Sequence, residues 1–200
     1  PLGNSVTDTL RELSGADIAM LNTGGLRQAI PAGPVTYEDL FAVLPFSNKG
    51  ILIGPMPVRR LMELLVRSVR TCGAYSALMQ SGIIATFERN CDRSVNGIDP
   101  NARLLSVKTV SDRVIYDLER GGLQLPESAT FQVATLDFLA AGGSGYDEFR
   151  GIALIRDLGI FREILADEFF ARPTQFTRVL DGRWRQVGSS AAFKIRTDPK

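Results

Sequence analysis

Val6, Leu10 and Leu13 recur at helical spacing, which predicts a helix over residues 4–13 with Gly15 as its stop. Ile18-Ala19-Met20-Leu21 reads as a short buried strand, and Pro31-Ala32-Gly33-Pro34 as a turn. Thr36-Tyr37-Glu38-Asp39 has the form of an N-cap followed by an acid at the third helical position, opening a short helix that runs through Val43 and ends at Pro45. A second strand follows at Ile51-Leu52-Ile53. The clearest stripe is Val58, Leu61, Met62, Leu65 and Val69, with Arg59, Arg60, Glu63, Arg67 and Arg70 on the opposite side and Gly73 beyond it. Further on the period shortens. Residues 81–87, 104–110, 114–118 and 130–135 carry the β-branched, alternating content of a sheet, separated by loops at 90–101 and 121–126. Helical spacing returns over 160–169, Arg172-Pro173 begins a last short segment, and 186–200 has no pattern and reads as a tail. Helix and strand signals are thus interleaved, with no internal repeat, and the fold class is mixed α/β (α+β).

Composition narrows the function classes. The 200 residues are 44% hydrophobic, enough for a substantial core, and a net charge of +1 offers no field for nucleic acid. Apolar runs are cut by Arg, Asp or Gly before they reach membrane-spanning length, and no signal peptide is visible at the N-terminus. The chain contains no histidine, which argues against both a His-and-carboxylate two-metal centre and a Ser or Cys hydrolase with a His base. Cys72 and Cys91 are the only cysteines, and their count leaves a disulfide and two buried thiols equally open. The arginines between 59 and 70 read as a solvated helix face, with Glu63 and Arg67 paired at i and i+4, rather than as a phosphate site.

Three short stretches stand out chemically: Asn22-Thr23-Gly24-Gly25-Leu26-Arg27, Leu44-Pro45-Phe46-Ser47-Asn48, and Asp137-Phe138-Leu139-Ala140-Ala141-Gly142-Gly143-Ser144-Gly145-Tyr146. The first sits at the carboxyl end of a predicted strand, where open α/β sheets place ligands. Its Gly-Gly pair permits close backbone approach, and Arg27 offers a planar fork for phosphate or carboxylate. Phe46 and Phe138 provide aromatic faces for a base, and Asn22 and Asn48 provide amides. Each stretch taken singly has an ordinary reading: a strand-to-loop turn with its arginine in solvent, or phenylalanines in the core.

In this order and spacing the stretches resemble the C-terminal, substrate-binding domain of the 5'-nucleotidase family, which hydrolyses nucleoside monophosphates, UDP-sugars and related phosphate esters. The resemblance covers residues 1–185. It implies helices on a bent, mixed sheet, with the three motif loops converging on one edge. It also implies substrate contacts from Asn22, Arg27, Phe46, Asn48, Gly82, Phe138 and Ser144, the two phenylalanines clamping the base. Gly82 also has the plainer reading of a strand-start glycine, and Asp137 that of a brace for the Phe138 loop. Two positions depart from the family's pattern: Pro1 stands where some members carry a further substrate arginine, and Ser144 where many carry a ribose-binding aspartate. On this resemblance the catalytic residues and a divalent metal pair belong to an N-terminal metallophosphoesterase domain outside this chain, which itself binds no cofactor. That domain and a nucleotide or related phosphate ester are the implied partners, and the implied location is periplasmic, cell-surface or secreted. The alternatives are a stand-alone binding module without catalysis, or the same domain in a cyclic phosphodiesterase or sulfur-ester hydrolase.

Overall fold

The computed structural model describes residues 2–30, 33–73, 75–172 and 180–188. Pro1, the Pro31-Ala32 half of the predicted turn, the segment from Pro173 and most of the predicted tail lie outside the described residues. The first helix, α1, runs over Leu2–Ser14 and leads through the Gly15 stop into β1, Ile18–Asn22. α2 spans Tyr37–Val43, β2 Lys49–Pro57 and α3 Val58–Arg70. The strands β3 (Leu78–Ser81), β4 (Ile83–Glu88), β5 (Arg103–Thr109), β6 (Val114–Asp117), β7 (Gly122–Leu123) and β8 (Thr130–Leu136) follow. The chain then forms α4 (Asp137–Ala140), β9 (Leu154–Ile160), α5 (Phe161–Ala171) and β10 (Trp184–Gln186). α2 begins with the predicted cap: Asp39 N donates to Thr36 Oγ1 at 3.2 Å and Thr36 N to Asp39 Oδ2 at 2.7 Å. Those Thr36 bonds hold the Asp39 carboxyl below its usual range.

Among the described residues the strands form two sheets of five rather than a single bent one. Their orders are β3-β1-β8-β2-β9 and β10-β4-β5-β6-β7. In the first, β1 runs parallel to β8 and antiparallel to β3, while β2 is antiparallel to β8 and β9. In the second, β10 runs parallel to β4 and the other pairs are antiparallel. The predicted strand over 81–87 is therefore a corner. Gly82, with φ of 98°, separates the last strand residue in one sheet from the first in the other. A Cβ there would lie 2.3 Å from Asp17 O, so no larger residue fits.

Each of the central strands serves two cores, which explains their continuous apolar runs. Ile18 and Met20, Ile51 and Ile53 face a core shared with α3 and the second sheet. Ala19, Leu21 and Leu52 face a second core closed by Val6 and Leu10 of α1 and by Phe161 and Leu165 of α5. α3 buries Val58, Leu61, Leu64, Leu65 and Val69, each burial contributing about 1.5–3 kcal/mol, while Met62 lies at the margin of that face. Arg67 pairs with Glu148 at 2.7 Å instead of with Glu63 one turn away, because residue 148 is folded against α3. β9 had no alternation to announce it: it is an exposed edge strand joined to β2 through two register shifts. Cys72, just after α3, and Cys91, just after β4, form a disulfide. Among the described residues no helix is long and apolar enough to cross a membrane.

Candidate functional site

β1 delivers Asn22, 7% exposed, to the carboxyl edge of the first sheet, where Thr23–Gly25 makes a single 3-10 turn. The turn is sewn to the chain that enters β3: Thr23 N donates to Ala77 O at 2.8 Å and Gly24 N to Tyr75 O at 2.9 Å. Glycine is required at 24, since a Cβ would come within 2.6 Å of Tyr75 O. Beyond the turn, Arg27 N donates to Val43 O at 2.9 Å, fixing the backbone against the end of α2. The exposed guanidinium donates to Gly24 O at 3.3 Å and lies over two rings, 5.8 Å from the Phe46 centroid and 5.4 Å from that of Tyr75. Among the described residues it has no carboxylate partner.

Phe46 is 46% exposed, although the backbone beneath it is held. Arg162 of α5, itself 7% exposed, donates to Leu44 O at 3.1 Å and Phe46 O at 3.3 Å while lying over the Phe41 ring at 4.4 Å. Asn48 O accepts from Phe161 N at 2.9 Å. Asp137 then joins the second motif to the third: one carboxylate oxygen accepts from Lys49 N at 3.1 Å and from Phe138 N at 2.8 Å. That is the bracing role anticipated for it. Phe138, 43% exposed, projects from α4, and Gly143 leaves room for it, since a Cβ at 143 would stand 2.5 Å from its ring. Ser144 follows in a left-handed conformation, φ 56°. Tyr146 is fully buried and donates to Ser76 O at 2.6 Å, and burial pushes its phenol up to about 12.

These elements enclose a cavity of about 260 Å³ lined by Asn22, Arg27, Phe46, Asn48, Phe138 and Ser144, together with Gly24, Gly25, Tyr75 and Ser76. Six of the seven residues named from sequence therefore meet in one place. Gly82 does not: it packs on Asp17 and Ile18, at the opposite end of β1 from Asn22. Four strand steps of about 3.3 Å separate the two ends, so Gly82 is a corner residue and not a wall of this cavity. Tyr75 and Ser76 escaped the sequence reading because only the antiparallel pairing of Asn22 with Leu78 brings them beside the first motif.

A larger cavity, about 670 Å³, lies between α3 and the second sheet. It takes in Arg59, Arg67 and Arg70, so the arginine face of α3 is one wall of a hollow instead of an open surface. Arg59 and Arg67 are already neutralised there by Glu127 and Glu148, and none of the three motifs reaches it. The smaller cavity is the better site because Arg27, without a carboxylate partner among the described residues, stands there beside two rings exposed on fixed backbone and all three motifs line it, whereas none lines the larger one. It can hold a flat aromatic group beside an anion. The chain has no histidine, and among the described residues no three of His, Cys, Asp and Glu are grouped to hold a metal.

The family model described as 5'-nucleotidase, C-terminal domain, matches residues 1–151. The chain is 28% identical over 198 residues to the trifunctional nucleotide phosphoesterase protein YfkN of Bacillus subtilis (strain 168), covering 93% of this chain and 12% of that protein. It is 30% identical over 145 residues to a 5'-nucleotidase of Vibrio cholerae serotype O1, covering 72% of this chain and 22% of that one. The crystal structure of a 5'-nucleotidase precursor from Thermus thermophilus matches with a TM-score of 0.70 at 25% identity, covering 94% of this chain and 35% of that one. The chain thus spans between 12% and 35% of the length of these relatives.

Proposed function

The chain belongs to the 5'-nucleotidase C-terminal domain family, and on that premise we propose that it is the substrate-recognition domain of a nucleotidase-type phosphohydrolase. The observation that carries this reading is the convergence of an unpaired Arg27 and two exposed rings, Phe46 and Phe138, on one cavity. A guanidinium fork without a carboxylate suits a phosphate, and exposed rings on anchored backbone suit the faces of a base. Stacking accepts any base, so the cavity selects nucleotides as a class, with the Asn22 and Asn48 amides available to polar edges. This chain's residues hold and orient the substrate. Hydrolysis belongs to a metallophosphoesterase domain with a divalent metal pair in the same polypeptide, against which this domain moves to present its ligand. The residues described here do not suit such a metal pair. The disulfide agrees with a periplasmic, cell-surface or secreted location.

Calorimetric titration with AMP tests the clamp. Phe46→Ala and Phe138→Ala should each weaken binding by about 1–3 kcal/mol, roughly 5- to 150-fold. A protein that binds AMP equally well without either ring has no clamp. Ser144 sets the sugar preference on this reading: a neutral hydroxyl in place of the family's aspartate binds ribose weakly. Ser144→Asp, which the left-handed backbone tolerates, should tighten AMP by about 1 kcal/mol and leave its 2',3'-dideoxy analogue unchanged. Equal gains for both ligands would show that position 144 does not read the sugar.

A further inference from the structure

Tyr75 is 64% exposed, yet the backbone around it is pinned on consecutive residues: Tyr75 O accepts from Gly24 N, Ser76 O from the Tyr146 hydroxyl, and Ala77 O from Thr23 N. A large ring with so little part in the core, on backbone so firmly held, requires another explanation. Its ring meets the Arg27 guanidinium at 5.4 Å, and the same guanidinium meets Phe46 at 5.8 Å. An exposed arginine with no carboxylate partner ordinarily samples many rotamers, and a ligand must then restrict it on binding. Two ring faces and the bond to Gly24 O restrict it beforehand, while leaving most of its donors unused.

We propose that Tyr75 is a positioning residue for substrate recognition: its ring, with that of Phe46, holds Arg27 ready for the anionic group of the ligand. This rests on the reading of the cavity as a nucleotide site. The proposal separates the aromatic walls by role. Phe138 makes no such contact with Arg27 and serves the base, whereas Tyr75 acts on the phosphate through the arginine.

The test uses Tyr75→Leu, which removes the ring face, and Tyr75→Phe, which keeps it, each titrated calorimetrically with AMP and with adenosine. Tyr75→Leu should weaken AMP about three- to tenfold and leave adenosine within about twofold, while Tyr75→Phe matches the wild type for both. The Arg27 Nε–Hε NMR signal, assigned through Arg27→Lys, should show a changed ring-current displacement in Tyr75→Leu, where only the Phe46 ring remains, and an unchanged one in Tyr75→Phe, without any ligand present. Unchanged AMP affinity in Tyr75→Leu overturns the proposal. So does an equal loss for AMP and adenosine, which would make Tyr75 a base-stacking wall, or a Tyr75→Phe variant as weak as Tyr75→Leu. A wild-type protein that binds neither ligand defeats the nucleotide reading itself, and the role of Tyr75 falls with it.

Discussion

Replacing Arg183 with methionine is expected to cost about 2–4 kcal/mol of folding stability, read as a lower urea midpoint at an unchanged slope. The guanidinium, 12% exposed, makes a two-pronged contact with Asp8 at 2.9 Å on both oxygens, donates to Asp181 at 2.9 Å, and donates to Gln80 O at 3.0 Å. Breaking a buried ion pair from one side usually costs about 3–5 kcal/mol. The figure is reduced here because the side chains of Asp8 and Asp181 are 36% and 43% exposed, and water can reclaim them. Burial alone would lower the Arg183 pKa, but the bonds to Asp181 and Asp8 outweigh it and raise it. The Arg183 bond likewise holds the Asp181 carboxyl below its usual range. Since that folded-state value is depressed, the stabilisation is present above the ordinary aspartate pKa of about 3.9 and is lost as pH falls through the lower, folded-state value. The gap between variant and wild type should therefore narrow on acidification. Arg183→Lys should fall between the two, keeping the charge without the fork.

Removing the disulfide is expected to cost about as much. Cys72 and Cys91 lie 19 residues apart in sequence, and closing a loop of that length contributes about 3 kcal/mol by restricting the unfolded chain. For a protein of this size that corresponds to a Tm lower by roughly 6–12 °C, measured for Cys72→Ala/Cys91→Ala against the oxidised wild type. The closed loop contains Tyr75 and Ser76, so the double variant should also show faster amide exchange in that stretch than in β8, which lies outside the loop. Two titratable thiols in the folded, non-reduced protein would contradict the bridge.

What the sequence disclosed follows from how local each signal is. The α2 cap and the three motifs are written in neighbouring residues, and Asn22, Arg27, Phe46, Asn48, Phe138 and Ser144 do share a cavity. Gly82 carried two readings because a glycine flanked by strand residues looks the same whether it lies beside the motif loops or turns a corner away from them. Only its 2.3 Å approach to Asp17 O tells which. The division into two sheets was hidden for the same reason. Tyr75 was invisible because its importance arises from the pairing of β1 with β3 and from the rotamer of Arg27, neither of which leaves a periodic trace. The Glu63–Arg67 pair failed because Glu148, distant in sequence, competes for the same guanidinium.

The link between Asp8 and Arg183 joins residues 175 apart, and Asn4 reaches Asp181 across 177. β1 needs β8 as well, with Ile18 against Val133. A ribosome releasing this chain from its amino end exposes the apolar faces of α1 and β1 long before their partners exist. Those faces stay open until β8 and α5 emerge, and the polar ties of Asn4 and Asp8 to Asp181 and Arg183 close only after that. Completion of the native structure is therefore a late event in synthesis, and the waiting intermediate, not the finished protein, is where a chaperone would have most to hold.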